Sequence, residues 1–288
     1  MQKRFCGENT RLIADVIDYC KLTAKPCVVL LADFEKAFDT INWHFLSKAL
    51  QFFGFGETFC NWIDILYNDI ESCVMNNGYQ STFFKLSRGI RQGCPISALL
   101  FLLPAEVIAC IIRNTAEIQG LVVSDKCIKL CQLADDMTLF LTDMNSVKGS
   151  LQLFEEFYRY AGLRLNKKKT EAIIIYNDGS LNSDESLGIK WINRPFKTLG
   201  TWFSLNYEEM VKLNIGEKVE NIKSILNIWS KRSLTLKGKV TIVKSLVLPH
   251  FLQLSSVTTL NSKILYKYLH KIIFDFGTRN NTLYQKGH

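Results

Sequence analysis

The spacing of apolar residues predicts a mixed order of helices and strands up to about residue 205 and helices alone beyond it. Apolar residues at every third or fourth position predict amphipathic helices, and short continuous apolar runs predict buried strands. Helices are predicted over 9–20, 43–53, 57–68, 96–113 and 146–161, and strands over 27–32, 120–131, 137–142 and 171–176, with one or two short strands within 189–203.

Glycine and proline set the breaks in this pattern. The Asn77-Gly78 pair predicts a hairpin over 71–86. Pro104, inside a predicted helix, predicts a kink or an early end there. From about residue 207 the pattern is helical to the end of the chain, with breaks near 233–238 and at Pro249. The change of pattern predicts a domain boundary near residue 205.

The charge changes at the same place. Residues 205–288 contain 13 basic and 5 acidic side chains, which accounts for the whole net charge of +8. Such an excess fits a solvated lysine-rich helical surface, and it also fits a module that neutralises nucleic-acid phosphates. Both interpretations stay open on charge alone.

The composition is that of a globular protein, with 48% apolar and 22% charged residues. The nine cysteines are scattered through apolar segments, which predicts core residues and no zinc site or disulfide scaffold. The amino end lacks the apolar core of a secretory signal. The longest apolar run, 98–112, is interrupted by Pro104 and Glu106. We therefore expect an intracellular protein, in cytoplasm or nucleus, without a transmembrane segment.

Three aspartates follow or join apolar strands. Asp33 comes directly after the strand 27–32, and Asp135 and Asp136 lie between two apolar segments at the tip of a predicted hairpin. A lone aspartate there is usually a turn residue. Two adjacent carboxylates repel each other, however, and hard oxygen ligands of this kind suit Mg²⁺. The pair therefore predicts a cation site.

Five segments in one order make the pattern specific. They read LADFEKAFD, SRGIRQGCPISALLF, LADDMTLFL, GLRLNKKKTEA and KTLGTWF. This series resembles the palm motifs of reverse transcriptases, and its wording is most similar to the non-LTR (LINE-like) retrotransposon branch. The resemblance extends to GENTRLIADVIDYC before the series and LTLKGKVTIVKSLVLPHFLQLSSV after it. It therefore covers nearly the whole chain.

The resemblance implies an α+β fold, in which a right-hand palm with an antiparallel sheet and helices on one face precedes an all-α thumb. It places partial fingers at 1–26, the palm with remaining fingers elements at 27–204 and a basic helical thumb at 205–288. It implies an RNA-directed DNA polymerase that uses an RNA template, a DNA primer and dNTPs. Two Mg²⁺ ions, or Mn²⁺, would be held by Asp33, Asp135, Asp136 and the carbonyl of Phe34, with Asp135 the stricter ligand of the adjacent pair.

The same resemblance assigns further roles. The Phe34 ring would exclude a 2′ hydroxyl, although a core aromatic after a strand is the alternative. The segment around Gln92, Gly93 and Pro95 would contact the nucleotide, as would Arg91, and Lys169 would contact or protonate the pyrophosphate. The alternative for Arg91 and Lys169 is exposed loop charge. The last of these implied sites lie later in the chain: a primer grip at Leu199 and Gly200, and Trp229 in the thumb, with a core role for that ring favoured.

Leu133 stands where many relatives carry Phe or Tyr, and PISA replaces the frequent PLSP. The chain is expected to begin inside the fingers, without the upstream basic residues, an endonuclease domain or a Cys/His knuckle. The alternative function is therefore a truncated, inactive retroelement remnant that at most binds nucleic acid. A maturase-type or other domesticated reverse transcriptase would catalyse the same reaction in a different biological context. A plain α/β binding protein is the most distant alternative. Oligomeric state is not indicated by the sequence.

Overall fold

The computed structural model describes residues 6–255 and 262–278, and it divides the chain into two compact units. One unit is Tyr19–Asn193, named here the sheet unit. The other, the helical unit, combines Met1–Asp18 with Arg194–His288. The division after Asn193 groups a hairpin at 196–203 with the helices, whereas the sequence analysis groups it with the preceding sheet. The bounds of palm and thumb stay a prediction.

The first helix, α1 (Cys6–Thr23), has residues in both units. The sheet unit continues with β1 (Cys27–Ala32), α2 (Ala37–Thr40), α3 (Trp43–Phe52), α4 (Glu57–Leu66), β2 (Glu71–Ser72), β3 (Met75–Asn76), β4 (Tyr79–Gln80), β5 (Phe84–Lys85), α5 (Ser97–Asn114), β6 (Leu121–Val123), β7 (Lys126–Ile128), β8 (Leu130–Leu133), β9 (Asp136–Leu141), α6 (Met144–Ala161), β10 (Glu171–Tyr176) and β11 (Lys190–Trp191).

The sheet unit is built on a five-stranded sheet in the order β11-β10-β1-β9-β8. β1 is central and antiparallel to both β9 and β10, and β11 adds a parallel edge. Residues 27–30 of β1 are fully buried, as expected of an apolar run covered on both faces. The predicted strand at 27–32 is thus confirmed, and the mixture of helix and sheet agrees with the predicted fold class.

Helices α3, α5 and α6 pack together against this sheet and form one apolar core. α5 runs unbroken through Pro104, so the predicted early end of this helix is wrong. Proline costs a helix interior about 3 kcal/mol. Burial of apolar residues on both sides of it, such as Phe101 and Ile108, outweighs that cost.

α5 is also the one helix within 6–255 and 262–278 that is long and apolar enough to cross a membrane by length and composition. Half of its 18-residue apolar window is buried inside the protein. The core helix of a soluble protein passes the same test, so the helix is weak evidence for a membrane span. Its core packing, with Leu100 and Ile112 almost fully buried, accounts for the composition.

The two predicted hairpin regions differ from expectation in detail. The segment 71–86 forms two short antiparallel pairs, β2–β5 and β3–β4, with the turn at Asn77-Gly78 where both residues have positive φ. The predicted strand 120–131 is interrupted: Ser124 and Asp125 turn the chain into a β6–β7 ribbon before β8 begins. Apolar residues lie on both sides of that turn, and the prediction joined the two pieces across the polar residues Ser124, Asp125 and Lys126.

The helical unit holds β12 (Phe196–Thr198), β13 (Thr201–Phe203), α7 (Tyr207–Ser230), α8 (Leu236–Ile242), α9 (Pro249–Ser255) and α10 (Ser262–Thr278). The break between α7 and α8 confirms the one predicted near 233–238. The break predicted at Pro249 coincides with the start of α9. The residues before it form a π-turn at Val243–Val247, where the N–H of Leu248 donates to the carbonyl of Val243 at 3.0 Å. Proline has no N–H to continue the regular ladder, which explains the wider turn.

The core of the helical unit lies among α7, the π-turn, α9 and α10. The ring of Trp229 is partly buried against this core, and the Arg232 guanidinium lies 5.0 Å from its centroid. A core role for Trp229 therefore accounts for its position. The predicted helical end of the chain includes 256–261 and 279–288, which lie outside the described residues.

Candidate active site at the exit of the central strand

Asp33 is held at the end of β1 by the segment between α6 and β10. The N–H of Asn166 donates to the Asp33 carbonyl oxygen at 2.7 Å. The N–H of Asp33 donates to the hydroxyl of Thr170 at 3.3 Å, and Thr170 is fully buried. The backbone of Asp33 is thereby fixed from both sides, which orients its carboxylate at the strand exit as the sequence predicts.

Asp135 and Asp136 lie at the turn between β8 and β9. Leu133 pairs with Asp136, so Ala134 and Asp135 form a two-residue connection. Ala134 has a φ of 53°, a left-handed conformation in which such hairpin turns usually place Gly or Asn. An alanine there carries strain of about 1 kcal/mol. The backbone at the acidic pair is therefore held in a disfavoured conformation by its two strands.

The register of the sheet brings the three aspartates together. Ala32 of β1 pairs with Met137 of β9. Because the strands are antiparallel, the next step of this register places Asp33 opposite Asp136. Asp135 precedes Asp136 in the turn. Two distant parts of the sequence thus meet at one edge of the sheet.

Their electrostatics reflect this proximity. Burial raises the pKa of Asp33, and the charges of Asp135 and Glu35 raise it further, while Lys169 lowers it. Burial also raises the pKa of Asp136, followed by the charges of Asp135 and Asp33. The charge of Asp135 thus makes ionisation of both Asp33 and Asp136 less favourable. A bound cation would relieve this repulsion.

The donor set fits a hard divalent cation. Over the described parts of the chain, no three His, Cys, Asp or Glu side chains are gathered into a ready-made metal cage. Ions such as Mg²⁺ keep several waters and bind through one or two carboxylates together with substrate phosphates, so they need no such cage. The aspartates supply oxygen ligands and mutual repulsion, which is the chemistry that such an ion requires.

Phe34 follows Asp33 and makes a bridge pair with Leu165. Its ring is half-buried, and its centroid lies 5.7 Å from that of Phe154 in an edge-to-face arrangement. One side of the ring therefore belongs to the core, as the alternative interpretation requires. The ring is not completely enclosed, and its contact with a sugar stays a prediction.

The glycine-rich segment 88–95 is anchored to the chain that follows Asp33. The Gly89 N–H donates to the Ile41 carbonyl at 2.8 Å, and the Trp43 indole donates to the Gly89 carbonyl at 2.7 Å. The Gln92 amide lies 3.5 Å from a carboxylate oxygen of Asp39. The other assigned residues of this loop are exposed: Arg91, Gly93 and Pro95, with Arg88. The loop thus connects with the carboxylates through residues 34–43.

Lys169 belongs to an exposed turn after α6. Its backbone N–H donates to the Asn166 carbonyl at 3.0 Å and to the Asn166 side-chain oxygen at 3.3 Å. Its charge acts on Asp33, which separates it from a merely solvated loop lysine. The sequence analysis missed Asn166 and Thr170, the two residues that anchor this turn to Asp33. The two residues flank the three lysines in NKKKT, and their position on either side of the lysines was the signal in the sequence that could have identified them.

Leu199 and Gly200 form the tip of the β12–β13 hairpin in the helical unit. Thr198 pairs with Thr201, and both tip residues have positive φ, which is strained for leucine. The hairpin is fixed to α7 by the buried side chain of Asn214, whose oxygen accepts from the Trp202 N–H at 2.9 Å. A bulky apolar residue is thus presented at a turn that would favour Asn.

Comparisons with known proteins agree with the sequence motifs. The family model described as reverse transcriptase (RNA-dependent DNA polymerase) matches residues 4–203. An uncharacterised 149 kDa protein of transposon TX1 from Xenopus laevis is 28% identical over 248 residues, which are 83% of this chain and 18% of that protein. A Pol polyprotein of a type-1 R2 retrotransposable element from Popillia japonica is 28% identical over 174 residues, or 60% and 24% of the two chains.

Among solved structures, a Candida tropicalis telomerase in complex with a fragment of telomeric RNA has a TM-score of 0.49 and 15% identity, with 94% of this chain and 47% of that chain covered. The present chain spans about a fifth of the length of the two curated relatives named above.

Proposed function

Because the chain belongs to the reverse transcriptase family, with relatives in non-LTR retrotransposons, we propose that it is the polymerising core of an RNA-templated DNA polymerase. One observation carries the proposal: the register of β1, β8 and β9 brings Asp33, Asp135 and Asp136 together at one edge of the sheet, where the charge of Asp135 raises the pKa of both Asp33 and Asp136. In this proposal residues 1–26 belong to the fingers, residues 27–204 form the palm with remaining fingers elements, and residues 205–288 form the thumb. The substrates are an RNA template, a DNA primer and dNTPs.

The carboxylates of Asp33, Asp135 and Asp136, with the carbonyl of Phe34, would hold two Mg²⁺ ions, or Mn²⁺ in their place. Held there, two such ions would lower the pKa of the primer 3′ hydroxyl and neutralise the leaving pyrophosphate. The primer oxygen would lose its proton to solvent and form a bond to the α-phosphorus as the bond to pyrophosphate breaks. Lys169, whose charge already acts on Asp33, would donate a proton or a positive charge to that pyrophosphate.

The remaining residues position the substrates in this proposal. Gln92, Gly93 and Pro95 form the exposed face of a loop that is anchored through Gly89, and Arg91 adds a phosphate contact. Leu199 and Gly200 would hold the primer end at the strained hairpin tip. The basic surface of the helical unit would contact phosphates of the product duplex with a salt-dependent affinity.

The direct test is extension of a DNA primer annealed to an RNA template, with Mg²⁺ and dNTPs. Template-dependent extension that requires the divalent ion would support the proposal. A folded chain that binds RNA in a salt-dependent manner without extending a primer would overturn it, and would favour a nucleic-acid-binding remnant. The Asp135→Asn variant, purified in the same way, controls for contaminating polymerase, because a contaminant would remain active in that preparation.

Divalent ions are expected to stabilise the fold through the aspartates. Since the pKa values of Asp33 and Asp136 are raised by folding, the folded state binds protons to a higher pH than the unfolded chain, and stability falls as pH rises through those raised values. Asp136→Asn should therefore raise the melting temperature of the metal-free chain by a few degrees. Mg²⁺ at ten times its Kd should stabilise the unchanged protein by about 1.4 kcal/mol.

The readout is a pair of thermal melts with Mg²⁺ or EDTA, for the unchanged chain and for Asp136→Asn. The Mg²⁺ effect should grow from pH 5 toward pH 8 and should be smaller in the variant. An equal Mg²⁺ effect in both proteins would place ion binding elsewhere in the chain.

Replacing Phe34 with alanine is expected to increase rNTP incorporation relative to dNTP incorporation by about tenfold or more, because the space for a 2′ hydroxyl opens. Phe38→Ala is the matched control, since that ring stacks on Phe101 at 4.6 Å and loses only core packing. Single-nucleotide insertion with each substrate gives the ratio, which is independent of the folded fraction. An unchanged ratio in Phe34→Ala would assign the ring to the core alone.

A further inference from the structure

Cys94 lies in the turn that leads into α5, a helix of 18 residues. Its N–H donates to the Arg91 carbonyl at 3.3 Å, and its carbonyl accepts from the Ser97 N–H at 3.1 Å. The thiol is half-buried and therefore reachable by small reagents. Other cysteines are enclosed in the core, namely Cys20, Cys27, Cys60 and Cys131. Accessibility alone thus separates Cys94 from these four enclosed thiols, but not from Cys73 and Cys110, which are half-buried, or from Cys127, which is exposed.

The surroundings of Cys94 favour its anion. The Ile96 N–H lowers the pKa of the thiol most, the neighbouring Ser97 lowers it further, and the Arg91 guanidinium adds a smaller effect in the same direction. These donors belong to the start of α5, where backbone N–H groups have no partner within the helix. Thiolates are stabilised at such helix starts, and the thiolate is the reactive form of cysteine.

A second, independent feature is the hydroxyl of Ser97. This side chain is only 2% exposed, and its oxygen meets no partner at hydrogen-bonding distance within the described part of the protein. It lies close enough to the Cys94 thiol and to the Tyr67 hydroxyl to lower the pKa of each. Buried hydroxyls are nearly always paired, so an unpaired one beside a thiol is a donor available to a negatively charged sulfur.

The approach to the sulfur is open on the side of the preceding residue. A Cβ placed on Gly93 would meet no atom within 4 Å. Gly93 and Pro95, on either side of Cys94, are both exposed. A reagent as large as a small disulfide can therefore reach the turn without displacing a side chain from the core.

From this geometry we propose that Cys94 is a thiol-modification site, at which the thiolate exchanges with small disulfides and reacts with soft alkylating electrophiles ahead of the other described cysteines. In exchange with glutathione disulfide, the Cys94 sulfur attacks one sulfur of the reagent. A new sulfur–sulfur bond forms, the old one breaks, and glutathione leaves as its thiolate. The product is a mixed disulfide that an added dithiol reverses.

A consequence for activity rests on the proposed function. The adduct would occupy the open side of the loop that carries Gln92, Gly93 and Pro95. Modified protein should therefore lose primer extension and regain it on reduction. If the unmodified chain does not extend a primer, the proposed function fails, while the labelling result below still decides whether Cys94 is the reactive thiol.

The test is the labelling rate of each cysteine by iodoacetamide, followed by peptide mass spectrometry between pH 5.5 and pH 9. Cys127, an exposed thiol on the β6–β7 ribbon, is the internal control. At pH 7 we expect Cys94 to react at least about tenfold faster than Cys127, with its pH midpoint at a lower value. Equal rates for the two thiols would overturn the proposal.

The Ser97→Ala variant separates reactivity from accessibility. It removes the hydroxyl while it leaves the thiol equally exposed, so the Cys94 labelling rate at pH 7 should fall several-fold and its pH midpoint should rise. The Cys127 rate should not change, and a thermal melt verifies that the variant is folded. A Cys94 rate that is independent of Ser97 would contradict the arrangement described here.

Discussion

Replacing Asp135 with asparagine is expected to reduce primer extension by about 10³-fold or more, because the reaction then loses a charged oxygen ligand at the place where negative charge develops. The change keeps the shape of the side chain and removes its charge. Repulsion within the acidic cluster also decreases, since Asp135 raises the pKa of both Asp33 and Asp136. The variant should therefore fold at least as stably as the unchanged chain while it loses activity.

Asp125 offers a closely matched control. It is the second residue of the two-residue turn between β6 and β7, as Asp135 is of the turn between β8 and β9. The residues before them, Ser124 and Ala134, have φ values of 52° and 53°. Asp125→Asn therefore removes the same charge from the same type of turn, and extension should be unchanged. Similar extension rates for the two variants would contradict the assignment of Asp135 to catalysis.

The sequence predicts the local elements of the sheet unit well, because the spacing of apolar residues in each segment matches the face that the segment buries. β1 and β10 are apolar runs, and α6 ends at Gly162 in the left-handed conformation that the sequence suggests. The order of the strands in the sheet cannot be predicted in the same way. Nothing in the periodicity of 27–32 indicates that β1 lies between β9 and β10, more than a hundred residues away, because pairing depends on contacts between distant segments.

The errors also have physical causes. Pro104 does not end α5, because burial of the apolar residues around it outweighs a local propensity. The β6–β7 turn was missed because Ser124-Asp125 lacks the glycine that marks the Asn77-Gly78 turn. At Pro104, burial overrides a local signal, whereas at Ser124-Asp125 the local signal is too weak to mark the turn.

The adjacent acids beside apolar strands are chemically conspicuous, but their assignment together with Asp33 as one set of metal ligands follows from the resemblance to reverse transcriptases. The supporting groups of this site were not predicted. Thr170 is a buried hydroxyl that accepts a hydrogen bond from the Asp33 N–H, and Asn166 donates to the Asp33 carbonyl. Both contact backbone groups of Asp33, which any residue presents at that position, so no side-chain pattern at position 33 points to them.

Replacing Gly162 with alanine is expected to destabilise the sheet unit by about 3 kcal/mol or more, which is the second large effect that the structure predicts. Gly162 ends α6 with a φ of 78°, and a Cβ there would overlap the carbonyl oxygen of Thr40. Backbone atoms cannot rotate away as a side chain can. The segment 40–42 would have to move, although the Asn42 N–H donates to the Ala161 carbonyl at 2.9 Å.

The control is Gly179→Ala, which has a φ of 98° and no atom within 4 Å of an added Cβ. This variant carries only the cost of a left-handed alanine, about 1 kcal/mol. Urea unfolding of both variants and the unchanged chain gives the two free-energy differences. Equal losses would mean that the Thr40 contact is not rigid. A larger loss for Gly162→Ala would show that the end of α6 fixes the segment 40–42. The Gly89 N–H donates to Ile41 in this segment. The variant should then also lose more primer extension than its loss of folded protein explains.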